Sequence, residues 1–251
     1  MNEIDIPQTL IDALRGAERV VAFTGAGVSA ESGIPTFRDA LTGLWAHHNP
    51  EDLATPEAFH RDPENVSRWY DQRRLDILDR EPNPGHVALA EMERRIVDRG
   101  GTFTVVTQNI DRLHHRAGSR AVVELHGSIT VWRCTETGEE REITGPAMEQ
   151  YPPRTEAGGL LRPAVVWFGE MLPTDALAAA DHACEHCDLL LSIGTSATVF
   201  PAAGYIQVAM AAGARTVEVN PEPTPFTNDV DWSLPYPSAT ALPALVERAF
   251  G

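Results

Sequence analysis

Gly25-Ala-Gly-Val-Ser-Ala-Glu-Ser-Gly-Ile-Pro-Thr-Phe-Arg38 is the stretch that decides the fold. It follows an apolar run, Val20-Val-Ala-Phe23, that ends in Thr24 and reads as a buried parallel strand. Gly25 and Gly27 let the backbone approach a pyrophosphate, and the helix starting there points its N–H groups at the anion. An ordinary dinucleotide fold would continue with a full crossover helix, a second strand and an acidic residue about 20 positions on. Here Gly33 and Pro35 cut the helix short, and residues 36–50 contain no strand-like apolar run. The expectation is an irregular loop that wraps a cofactor instead of returning to the sheet.

Working outward, the same pattern recurs. Strand-like runs at Phe103-Thr-Val-Val106, Val122-Val-Glu-Leu125, Leu189-Leu-Leu-Ser-Ile193 and Thr216-Val-Glu-Val219 are separated by amphipathic helical segments. Helices are predicted over 6–17, 63–78, 84–97, 173–186, 202–212 and 242–250, with Thr55-Pro56-Glu57 and Asp62-Pro63-Glu64 as helix starts. Strands alternating with helices imply an α/β fold, a doubly wound parallel Rossmann-like sheet. Two polar excursions, 46–82 and 128–160, are expected to build a smaller second domain. The Rossmann-like domain would then comprise 1–45, 83–127 and 161–251, resuming at Arg162-Pro-Ala-Val-Val-Trp-Phe168. A chain of 251 residues is long enough for this arrangement.

Composition narrows the class. The net charge is −16, and all 20 basic residues are arginine. Such a surface repels nucleic acid and attracts basic peptides. Lysine-free acidity also suggests a halophilic host. No segment approaches the roughly 20 apolar residues of a membrane span. The acidic start, Met-Asn-Glu-Ile-Asp, lacks the pattern of a secretory signal, so a cytoplasmic location is expected, and a monomer. Three cysteines, Cys134, Cys184 and Cys187, do not make a disulfide framework.

Polar residues follow several strand ends, where open α/β sheets bind ligands. They are Thr107-Gln-Asn-Ile-Asp111, His126-Gly127, Gly194-Thr-Ser196 and Val219-Asn-Pro-Glu222. Together with the opening glycine stretch and Val166-Trp-Phe-Gly-Glu170, in this order, they resemble the sirtuin family of NAD-dependent protein deacylases. The resemblance runs from the first strand to the C-terminal helix. It implies NAD as co-substrate, acylated lysine in proteins or peptides as partner, and an acyl group transferred to ADP-ribose. It implies that Gly25, Ala26, Gly27, Ser29, Ala30, Glu31, Ile34, Phe37, Arg38 and Trp45 line the cofactor. Phe37 would shield the reactive C1′ face and Arg38 lie close to the phosphates. Gln108 would sit near the ribose, with Asn109, Ile110 and Asp111 at the nicotinamide carboxamide. Gly194, Thr195 and Ser196 would meet phosphate and ribose, and Asn220, Pro221 and Glu222 the adenosine ribose. His126 is the expected general base on the nicotinamide ribose, since imidazole takes a proton near neutral pH. With Asn109 it forms the expected catalytic pair. Val166, Phe168, Gly169 and Glu170 would pair with substrate peptide as an added strand. His114 and His115 carry no such context and read as surface residues.

Two features refine the resemblance. Tyr70 and Arg73 sit three apart on the predicted helix 63–78 and face the same way. Preceded by Ala54, they resemble the Y-x-x-R of the sirtuin class that prefers succinyl- and malonyl-lysine, because an arginine fork beside a phenol suits a terminal carboxylate. The zinc site departs from the family pattern of C-x-x-C, a spacer of roughly 15–20 residues and a second C-x-x-C. Cys134-Thr-Glu-Thr137 keeps one thiol, residues 135–165 hold no further Cys or His, and Glu139, Glu140 and Glu142 make a poor structural zinc site. Zinc is expected to be absent, and Cys184-Glu-His-Cys187, near His182, reads as buried or idle thiols at a helix end. A plain lysine deacetylase remains an alternative. So does a mono-ADP-ribosyltransferase or NAD glycohydrolase using the same pocket.

Overall fold

Apolar residues on both faces of each predicted strand require helices on both sides of the sheet. The computed structural model, which describes residues 4–36 and 50–251, shows how they are supplied. The strands are β1 (Arg19–Thr24), β2 (Thr102–Thr107), β3 (Val122–Glu124), β4 (Gly127–Cys134), β5 (Glu140–Glu142), β6 (Leu161–Val165), β7 (Leu189–Ile193), β8 (Arg215–Val219) and β9 (Trp232–Leu234). Six of them form one sheet in the order β3-β2-β1-β7-β8-β9, with every pair parallel. This is the doubly wound order, and its topological switch point falls between β1 and β7.

Successive residues on each strand feed opposite cores. Val20, Ala22, Val105, Leu189 and Leu191 pack with Leu10, Leu14, Leu89, Met92, Leu242 and Leu245. These last six come from α1 (Gln8–Gly16), α5 (Pro84–Asp98) and α9 (Ser238–Phe250). Val21, Phe23, Val106 and Leu190 instead meet Ala180 and Cys184 of α7 (Thr174–His186) and Tyr205, Ile206 and Ala209 of α8 (Gly204–Ala211). Cys184 and Cys187 are buried in this second core.

A second sheet, β5-β4-β6, is antiparallel. It packs with Phe59 of α3 (Pro56–Arg61) and with Val66, Tyr70 and Ile77 of α4 (Pro63–Leu78) into a separate apolar cluster. Thr55 and Asp62 cap α3 and α4 with their side chains, and proline follows each cap at the first helical position.

Three elements differ from the sequence expectation. Leu161–Val165 belongs to the small sheet, because its backbone pairs with Gly127–Cys134, so the parallel sheet does not resume at 161. Trp232–Leu234 adds an edge strand too short to show a period. The last helix starts at Ser238, four residues before the expected start, and carries Pro243 inside it. Among the described residues no helix is long and apolar enough to cross a membrane.

Candidate active site

The loops after β1 and β7 meet at the switch point, and they meet backbone to backbone. Gly27 donates its N–H to the Gly194 carbonyl at 2.7 Å. A Cβ on Gly27 would lie 2.6 Å from that oxygen, and Gly194, at φ 57°, would drive a Cβ to within 2.3 Å of the Val28 nitrogen. Both glycines are therefore required by loop-to-loop packing, in addition to any approach to a phosphate. The helix that follows, α2 (Gly27–Ala30), is a single turn. Asn83 Nδ2 donates to the Val28 carbonyl at 2.8 Å and so satisfies one of its end groups.

Polar side chains from the ends of β1, β2 and β3 gather around this junction. Ser29 is the hub. Its hydroxyl donates to Asp111 Oδ2 at 2.7 Å and accepts from Asn109 Nδ2 at 3.1 Å. Asp111 Oδ1 accepts the Leu113 N–H at 2.9 Å. Burial pushes the Asp111 carboxyl up, opposed by those bonds and by Arg73. Gln108 Nε2 donates to Thr195 Oγ1 at 3.1 Å, tying the β2 loop to the β7 loop. His126 is mostly buried, and its Nδ1 lies 2.9 Å from the Gln108 carbonyl. A carbonyl can only accept, so Nδ1 carries the proton and Nε2 presents a lone pair. Burial holds the imidazole below its usual 6.5.

Behind these groups lie two histidines that differ from expectation or were not foreseen. His114 is buried, not on the surface: α6 (Leu113–Arg116) is one turn whose first two residues face inward. Its Nε2 lies 3.0 Å from Thr24 Oγ1, which donates to Thr107 Oγ1 at 2.8 Å. His86 is the N3 residue of a capping box begun by Asn83, with its ring 4.9 Å from that of His114 and Nε2 3.4 Å from Ser29 Oγ. Burial lowers His86 to about 4 and His114 to about 3. The signal for His86 was the Asn-Pro-Gly-His run, which marks a capped helix start but not what the cap faces.

The acyl-reading candidates lie on α4. Tyr70 is buried, and its hydroxyl accepts from Trp167 Nε1 at 2.9 Å. The Arg73 guanidinium lies 5.8 Å from the Trp69 ring and within electrostatic reach of the Tyr70 phenol, Asp76 and Asp111. It makes no hydrogen bond or ion pair among the described residues, and burial lowers its pKa against the pull of Asp76 and Asp111. Ala54 packs against the same apolar cluster, and its carbonyl accepts from the Phe168 N–H at 2.9 Å. The Val166 N–H donates to the His126 carbonyl at 2.9 Å, so the 166–170 segment starts beside His126.

Other expected residues take different positions. Glu170 is bound by Arg162 at 2.5 Å and 2.9 Å and by the Trp167 N–H at 2.9 Å, so its carboxylate shapes the 166–170 turn. The Arg162 guanidinium also stacks 3.4 Å over the Trp167 ring. Glu31 accepts the Ala239 N–H at 2.9 Å and so holds α2 to the start of α9. Asn220 Nδ2 donates to the Glu222 carbonyl at 2.5 Å, closing the turn after β8. Ala26, Ala30, Ile34, Ile110, Ser196, Gly169 and Pro221 lie along the same loops. Phe37, Arg38 and Trp45 lie outside the described residues.

Among its described residues the small lobe brings no zinc shell together. Cys134 packs against Gly159, where an added Cβ would lie 2.7 Å from the sulfur, and Thr155 Oγ1 accepts the Gly159 N–H at 3.0 Å. One thiol and neutral hydroxyls do not suit tetrahedral zinc. Among the described residues no three His, Cys, Asp or Glu side chains converge as a metal site.

Comparisons with known proteins agree with this geometry. A family model described as the Sir2 family matches residues 25–201. The chain is 50% identical over 237 residues to the NAD-dependent protein deacylase 2 of Pyrobaculum aerophilum, covering 94% of this chain and 93% of that protein. It is 49% identical over 251 residues to the NAD-dependent protein deacylase 1 of Pseudomonas aeruginosa, covering 97% and 99%. A crystal structure of a Sir2 homolog–NAD complex superposes with a TM-score of 0.91 at 42% identity, covering 99% of this chain and 96% of that one. A Sir2 structure with a deacetylated p53 peptide and 3′-O-acetyl-ADP-ribose superposes at 0.81 and 30% identity, covering 96% and 97%.

Proposed function

The chain belongs to the Sir2 family and is an NAD-dependent protein deacylase, and we propose that it removes succinyl and malonyl groups, as well as acetyl, from protein lysines. When bound, NAD would supply the ribose carbon that takes up the acyl oxygen as nicotinamide leaves; passage of the acyl carbon to the ribose 2′-hydroxyl and uptake of one water then release free lysine and 2′-O-acyl-ADP-ribose.

The chain's own residues then have separable tasks. His126 takes a ribose hydroxyl proton at Nε2, because its Nδ1–H is committed to the Gln108 carbonyl. Burial keeps that imidazole neutral, and therefore basic, at working pH. Asn109 and Asp111, pinned together through Ser29, hold the carboxamide, which both donates and accepts hydrogen bonds. Ser29 and Gln108 fix the loops around the ribose, and the Gly25–Gly27 and Gly194–Ser196 loops cradle the phosphates. Val166 to Glu170 orders the substrate peptide as an added strand, held in shape by Arg162.

The observation that carries the acidic-acyl reading is Arg73. A largely buried guanidinium with no hydrogen bond or ion pair among the described residues, beside the Tyr70 hydroxyl and in the field of Asp76 and Asp111, suits an acyl-terminal carboxylate. The net charge of −16 favours basic peptides over nucleic acid and suits a high-salt interior. Three free cysteines fit a reducing cytoplasm, and we take the enzyme to act as a monomer away from membranes.

Mass spectrometry of products from NAD and a matched panel of succinyl-, malonyl- and acetyl-lysine peptides tests the proposal. Succinyl and malonyl peptides should be cleaved at least as fast as acetyl. Cleavage of acetyl alone would make the enzyme a plain deacetylase. Steady nicotinamide release without peptide, at the rate seen with it, would support the glycohydrolase alternative.

A further inference from the structure

Among its described residues the small lobe gathers no metal shell, yet one part of it is fastened to α4 by a device that no chemistry above uses. Asp71 and Arg74 form an ion pair at 2.7 Å, with both side chains fully buried. Around that pair the chain from 143 to 151 is gathered. Arg74 donates to the carbonyls of Ile143 at 3.2 Å, Gly145 at 2.8 Å and Pro146 at 2.9 Å. Asp71 Oδ2 accepts from the Met148 N–H at 2.9 Å and the Tyr151 hydroxyl at 2.5 Å. The segment is otherwise irregular and largely exposed, with Ile143 and Met148 packing partly buried against the apolar cluster.

We propose that the Asp71–Arg74 pair, and not a metal, holds segment 143–151 to α4, and that through this hold Asp71 and Arg74 are positioning residues for Tyr70 and Arg73. The acyl-reading part rests on the function proposed above. The two pairs interleave on one helical turn, at 70 and 73 and at 71 and 74. At 100° per residue they occupy adjacent stripes, and a helix cannot rotate one stripe without the other. Tyr70 is braced on its own side by Trp167, which Arg162 and Glu170 hold. Asp71 and Arg74 brace the neighbouring stripe. A guanidinium suits the task, since its planar fork satisfies a carboxylate and several carbonyls at once. Removing either partner would strand a buried charge.

The test is a graded series in the full-length enzyme: Tyr151→Phe, which deletes one hydroxyl, then Asp71→Asn and Arg74→Met, with Arg74→Lys as the conservative change. Amide hydrogen exchange over 143–151 is read beside KM and kcat for succinyl- and acetyl-lysine peptides. Exchange in the segment should rise along the series, reaching about tenfold or more in Arg74→Met, while β1 and β2 stay protected. KM for the succinyl peptide should rise several-fold, roughly threefold to tenfold, with kcat much less affected. Arg74→Lys should recover both only in part, because it restores the charge without the fork. A chelator should change neither reading. If Arg74→Met fails to fold, Tyr151→Phe and Asp71→Asn decide. Wild-type exchange over 143–151 in both would overturn the proposal, as would a bound metal whose removal exposes the same amides. Raised exchange with an unchanged succinyl KM would overturn the positioning role. Absence of desuccinylation in the wild type would count against the acyl-reading assignment, and the exchange reading would still decide the fastening.

Discussion

The large parallel sheet and the small antiparallel lobe hold functional side chains in place by different means. In the sheet, strands buried on both faces carry the loops, and the loops lock through backbone contacts such as Gly27 N–H to the Gly194 carbonyl. Many weak apolar contacts share the burden, so the catalytic candidates inherit a rigid frame. The lobe's sheet has three strands, one of them fully exposed, and adds a few dominant polar contacts to its apolar cluster. These are Arg162 with Glu170, Asp71 with Arg74, and Arg112 reaching Glu124 of the sheet and Glu142 of the lobe. On the proposed function, reaction chemistry falls to the region that tolerates peripheral change, and acyl preference to the region where a single side chain counts.

The largest effect should come from the sheet side. His126→Ala removes a positioned base and should lower deacylation of every acyl peptide by about 10²-fold or more. On the proposed role activity needs the neutral imidazole, which burial favours, so the acid limb of kcat/KM should have its midpoint below 6.5. A midpoint above 6.5 would assign that limb to another group.

On the lobe side, Arg73→Met should cut desuccinylation by roughly 30-fold or more while leaving deacetylation far less changed, since acetyl has no carboxylate to lose. Measured as a ratio at matched salt, a constant value would erase the division of labour between the two regions.

The buried histidines sharpen the comparison through stability. His86 and His114 have folded-state pKa values below the unfolded value of about 6.5. Folded protein therefore binds fewer protons than unfolded protein as pH falls below that value. Their contribution is present above pH 6.5 and is lost on acidification toward 4 and 3, each at about 1.4 kcal/mol per pH unit. Replacing His114 by Gln should flatten the dependence of unfolding free energy on pH in that window. An unchanged slope would mean the loss arises elsewhere, for instance among carboxylates.

The smallest expected effect is none. Chelator treatment should leave activity and melting temperature unchanged, and metal analysis should find well under one zinc per chain. Zinc-restored activity after chelation would return the lobe to a metal-held design.

Much of this was legible along the chain because it is local. Each strand of the parallel sheet except Trp232–Leu234 announced itself as an apolar run, and α4 matched its predicted span because Asp62 and Pro63 mark its start. The polar loops Gln108–Asp111 and Gly194–Ser196 were found by position, since residues just past strand ends face the switch point. Glu31 and Glu170 could not be read this way. Their partners, Ala239 and Arg162, are set by how distant elements pack, and a carboxylate in a loop carries no mark of where it will turn. His114 failed for the same reason: its burial depends on a single turn being pressed against β1 and α5.

Residue type and spacing alone determined that this chain would build a doubly wound sheet, place His126 and Asn109 beyond strand ends and lack the thiols for zinc. These follow from backbone periodicity, glycine's conformational freedom and a count of cysteines. Only the tertiary structure decided that β6 turns back to pair with β4, that His126 presents Nε2 rather than Nδ1, and that Arg74 grips the 143–151 segment. Each of those depends on a hydrogen bond to a group distant in sequence, and such bonds are specified by the packing of whole elements.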